Sequence, residues 1–439
     1  MNSKVNLIYG VSDKPKFGQI LLFALQQLLA IMAATIAVPA IIGNGMSQTA
    51  ALFGAGVGTL VYLLFTKFRS PVFLGSSFAF LGSMGTAFAG AVSAAAGYAG
   101  LLLGALFAGL VYVVIAIVVK AAGVKWINKL MPPVVIGPTV AIIGLSLAGN
   151  AIGDLGTATA GGSTYVALIC GLVTLGVTML ASVFGKKMIK MIPFIIGILA
   201  GYAVAAIFTV IGRATDNAAL LVINFDLFKT IQWIPSFTFV QAFKGFKDID
   251  GAYIATVAVA YVPVAFVVFA EHIADHKNLS SIIGSDLLEE PGLHRTLLGD
   301  GVGSMVGAFF GGCPNTTYGE SIGCVAISGN ASVVTILATA IMAIVISFFG
   351  PFATFLATIP NCVMGGVCVA LYGFIAVSGL KMIQQVDLGD NHNLFVVSVI
   401  LIAGIGGLSV TFGKVTLTSV ACALILGILT NIMLTGKSK

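Results

Sequence analysis

Long runs of apolar residues, separated by short polar segments, dominate the pattern of this chain. A helix that crosses a bilayer needs about 20 apolar residues to span roughly 30 Å of hydrocarbon. The runs predict fourteen membrane-crossing elements, of which the third and the tenth are short and interrupted by small polar residues. The predicted elements lie near residues 18–34, 48–66, 74–90, 97–119, 131–150, 163–184, 192–212, 251–274, 297–312, 317–328, 331–350, 361–379, 393–411 and 415–435.

The longest polar stretch, roughly residues 213–250, divides these elements into two sets of seven. An odd number of spans in each half inserts the second half upside down, as in inverted-repeat transporters. Short similarities support a repeat, since Ser-Ser-Phe at 76–78 parallels Thr-Thr-Tyr at 316–318, and the Pro-to-Gly spacing of 132–137 recurs at 360–365. The pattern predicts an all-α polytopic membrane protein with 14 transmembrane segments in two inverted 7-span repeats.

Composition agrees with lipid as the solvent of this chain. Of its 439 residues, 59% are hydrophobic and only 8% are charged, against about 45–50% and about 25% in ordinary globular domains. The net charge of +6 follows the positive-inside rule and needs no nucleic-acid partner. The inner segments would hold Lys4, Lys14, Lys16, Lys67, Arg69, Lys120, Lys125, Lys129, Lys186, Lys187, Lys190, Lys277, Arg295, Lys381, Lys437 and Lys439, and the outer ones Arg213, Lys229, Lys244, Lys247 and Lys414. This predicts a multi-pass protein of the cell inner membrane with both termini in the cytoplasm.

The third and tenth elements are poor continuous helices, because Pro, Asn and Thr cluster where a helix would begin. Backbone groups left unpaired in a bilayer are tolerated only where they are buried or line a cavity. Paired breaks in corresponding halves therefore indicate a binding site near the membrane midplane. A half-helix starting near Thr317 would aim its N–H groups there, which suits a planar ligand with alternating C=O and N–H groups. Phe78 and Tyr318 are placed to stack on such a ring, and Tyr372 could reach it with its hydroxyl.

Two of the acidic residues inside predicted spans stand out, Glu271 in the eighth and Glu320 in the tenth. Charge is costly there, so these carboxyls are candidates for ligand binding and proton exchange. The alternative is a carboxyl that only joins two helices. Asp275 lies one turn after Glu271, about 40° around the helix and on the same face. His272 and His276, about 100° and 140° away, point elsewhere, and we expect His276 at the membrane interface, with a proton relay as the alternative.

Residues 314–323, Pro-Asn-Thr-Thr-Tyr-Gly-Glu-Ser-Ile-Gly, resemble the signature of the nucleobase–ascorbate transporter family. The Asn-Thr-Thr-Tyr-Gly-Glu form is similar to the bacterial uracil permease branch. Ala-Glu-His-Ile at 270–273, Glu-Pro-Gly-Leu-His-Arg at 290–295 and Gly-Ser-Ser-Phe-Ala-Phe at 75–80 carry the same resemblance. The likeness runs through nearly the whole chain.

This resemblance implies a core domain of spans 1–4 and 8–11 and a gate domain of spans 5–7 and 12–14. It also implies short strands in the broken spans 3 and 10 that meet at the substrate. The corresponding divisions of the chain are 1–120 and 251–350 for the core domain, 121–215 and 351–439 for the gate domain, and 216–250 for the extracytoplasmic connection.

The resemblance further implies import of uracil in symport with protons, without a cofactor, in a protein that is often a homodimer. Glu271 and Glu320 would hydrogen-bond uracil, backbone at Phe78 and Gly319 would complete the contacts, and Tyr372 would lie on the gate side. Proton coupling is expected at Glu271, Asp275 or His276.

Two departures from the family pattern affect these expectations. Some uracil permeases have His where this chain has Asp275, and purine-transporting relatives can have Asp there. Gln27 stands where some relatives have a His in the first span.

Three alternatives to uracil symport remain. The same fold could carry xanthine, another purine or ascorbate, it could act as a channel, or the chain could be a membrane enzyme. Concentrative, pH-driven uptake separates a carrier from a channel. The Gly-Asp-Gly-Val-Gly run at 299–303 has no preceding strand to support dinucleotide binding, and the six cysteines lack metal-ligand spacing. We therefore expect neither an enzyme nor a bound cofactor or metal.

Overall fold

The computed structural model describes residues 7–123, 126, 132–186, 188–229, 231–412 and 415–435. Of the basic residues used to orient the chain, Lys4, Lys125, Lys129, Lys187, Lys414, Lys437 and Lys439 lie outside these ranges. The helices are α1 (Phe17–Ile42), α2 (Gln48–Phe65), α3 (Leu81–Ala89), α4 (Ala94–Ala122), α5 (Pro133–Ser146), α6 (Ala148–Leu155), α7 (Thr164–Phe184), α8 (Met188–Met191), α9 (Pro193–Ala214), α10 (Thr238–Gly245), α11 (Gly251–Ile283), α12 (Leu293–Gly311), α13 (Gly319–Ser328), α14 (Val333–Ile346), α15 (Gly350–Thr358), α16 (Asn361–Ile383), α17 (Asn391–Ile405) and α18 (Ser419–Thr435). The strands are β1 (Leu74–Ser76), β2 (Asn315–Thr317), β3 (Val410–Phe412) and β4 (Val415–Leu417).

Eight helical units in the described part are long and apolar enough to cross a membrane, with α5 and α6 counted as one unit, Pro133–Leu155. Their burial differs. In an apolar 18-residue stretch of α1, 67% is buried inside the protein, but in the corresponding stretch of α9 only 33% is buried. The outward faces of the peripheral helices are apolar, with Ile207 59% and Val210 60% exposed on α9. Such faces need lipid around them, and the chain is a multi-pass membrane protein.

The third and tenth predicted elements are broken, as the sequence indicates. Strand β1 pairs antiparallel with β2, and Gly75 lies opposite Thr316 in their register. Two strands of three residues are too short to be stable alone, and α2 supports them. The Thr59 hydroxyl accepts a hydrogen bond of 2.9 Å from the Leu74 N–H, and Asn315 donates one of 3.1 Å to the carbonyl of Gly54.

A glycine permits the close approach of these two strands. A Cβ atom on Gly75 would lie 2.3 Å from the ring of Tyr318. The Tyr318 hydroxyl reaches across the strand pair and donates a hydrogen bond of 2.7 Å to the carbonyl of Ser76. Any larger residue than glycine at position 75 would displace this ring.

Small residues also bring whole helices together. Gly54 of α2 faces Gly307 of α12 so closely that a Cβ on Gly54 would lie 2.3 Å from the carbonyl oxygen of Gly307. Gly144 of α5 meets the backbone of α16 in the same way, with 2.3 Å between its built Cβ and the carbonyl oxygen of Tyr372. Close packing of small residues is typical of membrane helices. Close helix packing produces two groups of helices. One group forms around α2, α4 and α12, and the other forms around α5, α7 and α16.

Two predicted elements end differently from the sequence pattern. The eleventh continues as α14 and then bends by 84° into α15. The stretch 393–411 is wrong at its end, because α17 stops at Ile405 and Gly407 adopts a left-handed conformation with φ of 71°. The chain then forms the hairpin β3–β4, with Val410 opposite Leu417. Valine and threonine in these strands favour extended backbone, and apolarity alone did not distinguish them from helix.

Candidate binding site

A cavity of about 350 Å³ lies where the two broken elements meet, within the usual size range of small-molecule sites. Its walls differ in chemistry. One wall comes from the segment after β1, from α11, from β2 and from the start of α13, and carries Ser77, Phe78, Ala79, Glu271, Ala274, Asp275, Thr316, Thr317, Tyr318, Gly319 and Glu320. The other comes from α5, α9 and α16 and carries Val140, Ile143, Phe194, Leu371, Phe374, Ile375, Ser378 and Met382. A bound molecule would meet polar groups on one side and an almost wholly apolar surface on the other.

Three carboxyl groups converge on the polar wall. Glu271 and Asp275 project from adjacent turns of α11, as their spacing predicts, and Glu320 lies in the first turn of α13. Asp275 Oδ2 accepts a hydrogen bond of 2.7 Å from the Thr317 hydroxyl. Within the described residues no hydrogen bond holds the Glu271 carboxyl, which leaves it available to a ligand.

The N-terminus of α13 opens into the same wall. Tyr318 is the N-cap in extended conformation and makes no side-chain cap, and Gly319 is the first helical residue. The first N–H groups of a helix have no partner within the helix and carry partial positive charge. Here they lie beside Glu320, so the wall offers hydrogen-bond donors next to acceptors.

The starting turn of α13 is anchored from behind by α1. The Gln27 amide donates hydrogen bonds to the Ser321 hydroxyl and, at 3.2 Å, to the Ser321 carbonyl. The same hydroxyl accepts a hydrogen bond from the N–H of Phe73, just before β1. Gln27 therefore fixes the polar wall without lining the cavity, and sequence reasoning did not anticipate this role.

The aromatic candidates occupy different positions. Phe78 and Tyr318 line the cavity, but the Tyr318 hydroxyl is already bonded to Ser76. Tyr372 does not line it. The Tyr372 ring is buried and packs edge-on against Phe78, with 5.8 Å between ring centroids. Tyr372 therefore contacts the site through Phe78, and its hydroxyl does not reach the cavity.

His272 and His276 point away from Glu271, as the helical spacing predicts. The interfacial position expected for His276 is wrong, because its side chain is fully buried. Helix α11 continues to Ile283, which places His276 within the helix instead of at its end. The His276 Nδ1 donates a hydrogen bond of 2.8 Å to the carbonyl of His272. Its Nε2 accepts a hydrogen bond of 2.7 Å from the Tyr62 hydroxyl.

A buried pair behind α11 was missed by sequence reasoning. His272 Nδ1 and Asp300 Oδ2 are 2.7 Å apart, and both side chains are almost completely buried. Asp300 lies in the glycine-rich run that was considered only as a dinucleotide fingerprint. An acidic residue inside a predicted span was the signal available. The pair joins α11 to α12, on the side of α11 away from the cavity.

No group of three or more His, Cys, Asp or Glu side chains in the described part is arranged to hold a metal ion. The six cysteines are buried and free.

Comparison with known proteins assigns this chain to a family. The sequence profile of a permease family matches residues 18–412. The chain belongs to this permease family. Among relatives of this permease, the uracil permease of Bacillus caldolyticus is 38% identical over 433 residues, which cover 98% of this chain and 95% of the relative. The uracil permease of Escherichia coli K12 is 36% identical over 423 residues, 95% of this chain and 92% of the relative.

These matches confirm the family predicted from residues 314–323, and they identify the permease as a transport protein and not an enzyme. Solved structures share its fold at low sequence identity. The transmembrane domain of the cyanobacterial bicarbonate transporter BicA has a TM-score of 0.60 at 16% identity and covers 96% of this chain and 99% of that chain. The structure of SLC26A9 has a TM-score of 0.67 at 14% identity. The match covers 95% of this chain and 64% of the SLC26A9 chain.

Proposed function

We propose that this permease imports uracil in symport with protons across the cell inner membrane. One observation carries the proposal: three carboxyl groups and the open N-terminus of α13 share one wall of the cavity between the broken elements. Relatives named uracil permease, which match this chain over nearly its full length, support the choice of substrate.

The chemistry of uracil fits the polar wall. Its ring N–H groups would donate to Glu271 and Glu320, and its carbonyl oxygens would accept from backbone N–H groups at Gly319 and Phe78. Phe78 and Tyr318 offer aromatic surfaces to the ring, and the apolar wall would cover its remaining face. The polar groups would set orientation, as in most small-molecule sites.

Electrostatics support the coupling of this binding step to protons. Carboxylates that share a cavity of low dielectric repel each other, so uptake of a proton lowers the cost of closing the cavity around a neutral ligand. Glu271 and Asp275 face the cavity, whereas His276 is buried behind them against Tyr62. This placement favours Glu271 or Asp275 over His276 as the coupling group.

For the architecture, we propose fourteen spans in two inverted repeats, with the core and gate domains at the boundaries given above and both termini in the cytoplasm. The antiparallel pairing of β1 with β2 supports opposite insertion of the halves. The polar wall belongs mainly to the core domain and the apolar wall to the gate domain. Movement of the core domain along an apolar surface would carry the substrate across, and a homodimer agrees with the family.

A purine such as xanthine is the second candidate substrate. Asp275, held by Thr317 at the cavity wall, favours it, because purine-transporting relatives can have Asp at this position. A channel on the same fold would conduct the ligand down its gradient only.

Uptake of labelled uracil into proteoliposomes tests the proposal. We expect accumulation above equilibrium with an inward proton gradient, collapse with a protonophore, and competition by excess unlabelled uracil but not xanthine. Stronger competition by xanthine than by uracil would assign a purine instead. Equilibration without accumulation would indicate a channel, and absence of uptake by folded protein would refute transport of uracil.

A further inference from the structure

A second and larger cavity, of about 590 Å³, lies away from the candidate binding site. It is bounded by the C-terminal end of α1, by α6, by α15, by the first turn of α16, by Leu227 and by the segment 232–236. None of the described residues that line it also lines the first cavity. In the proposed orientation, the C-terminal end of α1 and the N-terminal end of α16 face the outside.

Helix α16 connects the two cavities. Its first turn contributes Asn361 and Met364 to the larger cavity, and its later turns contribute Leu371 and Ile375 to the candidate binding site. In the same helix, Gly365, Cys368 and Tyr372 are separated by three and four residues, so their side-chain positions lie on one face of the helix.

The ends of this helical face contact one cavity each. A Cβ on Gly365 would lie 2.9 Å from the Cβ of Asp154, a residue of the larger cavity. At the other end, the ring of Tyr372 packs edge-on against Phe78 in the wall of the candidate binding site. One face of α16 therefore joins a residue of the larger cavity, Asp154, to a residue of the candidate binding site, Phe78.

The lining of the larger cavity indicates what it would bind. Asp154 is half-buried there, and the Oε1 atom of Gln48 is buried without a hydrogen-bond partner in the described structure. Gln232 and Asn361 add two more amides, and Met46 adds apolar surface. Among the described lining residues there is no Lys, Arg or His, so the cavity lacks the cations that recognise phosphate. Amides and a carboxylate beside apolar surface suit a neutral heterocycle with N–H and C=O groups.

We propose that the larger cavity is an external entry site, where a neutral nucleobase binds before Tyr372 and Phe78 separate and admit it to the inner site. Asp154 accepts a hydrogen bond from a ring N–H, and the Gln48 amide pairs with the neighbouring carbonyl and N–H. Nucleotides, which carry phosphate, are excluded. This inference rests on the proposed import function and its orientation.

Cysteine labelling tests binding at this cavity directly. Gln232→Cys places a thiol on an exposed lining residue, whereas the native cysteines are all buried. Right-side-out vesicles are treated with a membrane-impermeant maleimide. We expect excess uracil to slow the labelling of Gln232→Cys and uridine monophosphate to leave it unchanged. Lys247→Cys, exposed but outside the cavity, is the control whose labelling uracil should not alter.

Transport kinetics provide the second measurement. Asp154→Asn should raise the KM for uracil uptake about tenfold, the expected effect of losing one charge-assisted hydrogen bond, with Vmax little changed. Binding of uracil to the inner site of solubilised protein should be unchanged. Asp216→Asn, an exposed acid outside the cavity, should behave as the unmodified protein.

The outcomes distinguish this inference from the proposed function. Wild-type uptake of uracil, combined with no protection of Gln232→Cys and an unchanged KM in Asp154→Asn, would overturn the entry site and leave the import function standing. Labelling reports binding without transport. Protection of Gln232→Cys by uracil in a protein that does not accumulate it would therefore support the site and refute the import.

Discussion

The Thr317 hydroxyl donates a hydrogen bond of 2.7 Å to Asp275 Oδ2 and so ties strand β2 to helix α11 at the cavity wall. Asp275 is one turn from Glu271, whose carboxyl has no hydrogen bond within the described structure. The two acids on one helical face therefore differ: one is held in place and the other is free to bind. This difference allows their contributions to be separated by mutation.

Asp275→Asn should separate binding from proton coupling. Asparagine can still accept the Thr317 hydrogen bond through its side-chain carbonyl oxygen. Unlike a carboxyl group, the asparagine amide cannot take up and release a proton. If Asp275 carries the coupling proton, we expect uracil to bind normally and the stimulation of uptake by an inward proton gradient to disappear. Thr317→Val keeps the carboxyl and removes the hydroxyl, and should reduce uptake about tenfold while retaining gradient dependence. Full gradient-driven accumulation by Asp275→Asn would exclude this residue as the coupling group.

Removing either of the other two carboxylates should abolish uptake. Glu271→Gln and Glu320→Gln keep the shape of the side chain and lose the charge-assisted acceptor, and we expect uptake to fall at least a hundredfold at matched membrane levels. Stabilisation of the purified protein by uracil in thermal unfolding should disappear as well. Glu289→Gln, at an exposed position outside the cavity, is the control. Normal uptake by both cavity variants would eliminate the proposed site.

The strand pair should be intolerant of a single methyl group. Gly75→Ala places a Cβ on the ring of Tyr318 and should lower the free energy of unfolding by about 1–3 kcal/mol. Uptake should fall with it, because the displaced ring lines the cavity. Gly85→Ala, where a Cβ meets nothing within 4 Å, should retain stability and uptake. Thermal unfolding and uptake of the two variants, measured together, check this, and equal behaviour would contradict it.

His276 should matter for stability and not for coupling. His276→Ala removes the buried acceptor of the Tyr62 hydroxyl, which keeps only the Ser70 hydroxyl as a partner, so we expect a loss of about 1–3 kcal/mol in the free energy of unfolding. The pH profile of the remaining uptake should keep its shape, since the ring does not line the cavity. A shifted pH profile with unchanged stability would assign His276 to the proton pathway instead.

Sequence reasoning predicted the eight long apolar helical units of the described part, because the bilayer sets both the length and the polarity of a spanning element. It also predicted both breaks, from Pro, Asn and Thr at the start of the tenth element. It missed the hairpin β3–β4 and the bend between α14 and α15, because hydropathy does not report the direction of the chain.

For the site, the sequence indicated the residues of the polar wall, because acids and broken helices are unusual inside a membrane. Glu271, Asp275, Glu320, Phe78 and Tyr318 all face one cavity. The apolar wall was not predicted, because in sequence Ile143 and Phe374 cannot be distinguished from the many other apolar residues of the membrane-spanning helices. The Asp300–His272 pair and the Gln27–Ser321 contact join residues distant in sequence, and only the tertiary structure brings them together.

The division of the cavity into a polar and an apolar wall has an evolutionary consequence. Hydrogen-bonding groups are fixed by strands and helix ends that tolerate little change, as the contact of Gly75 with Tyr318 illustrates. Ile143, Phe374 and Met382 are apolar helix residues, so a change in their size removes no hydrogen bond from the polar wall. Descendants of this protein can therefore acquire a ligand of different size by gradual substitutions on one wall, while inheriting unaltered the chemistry of the other.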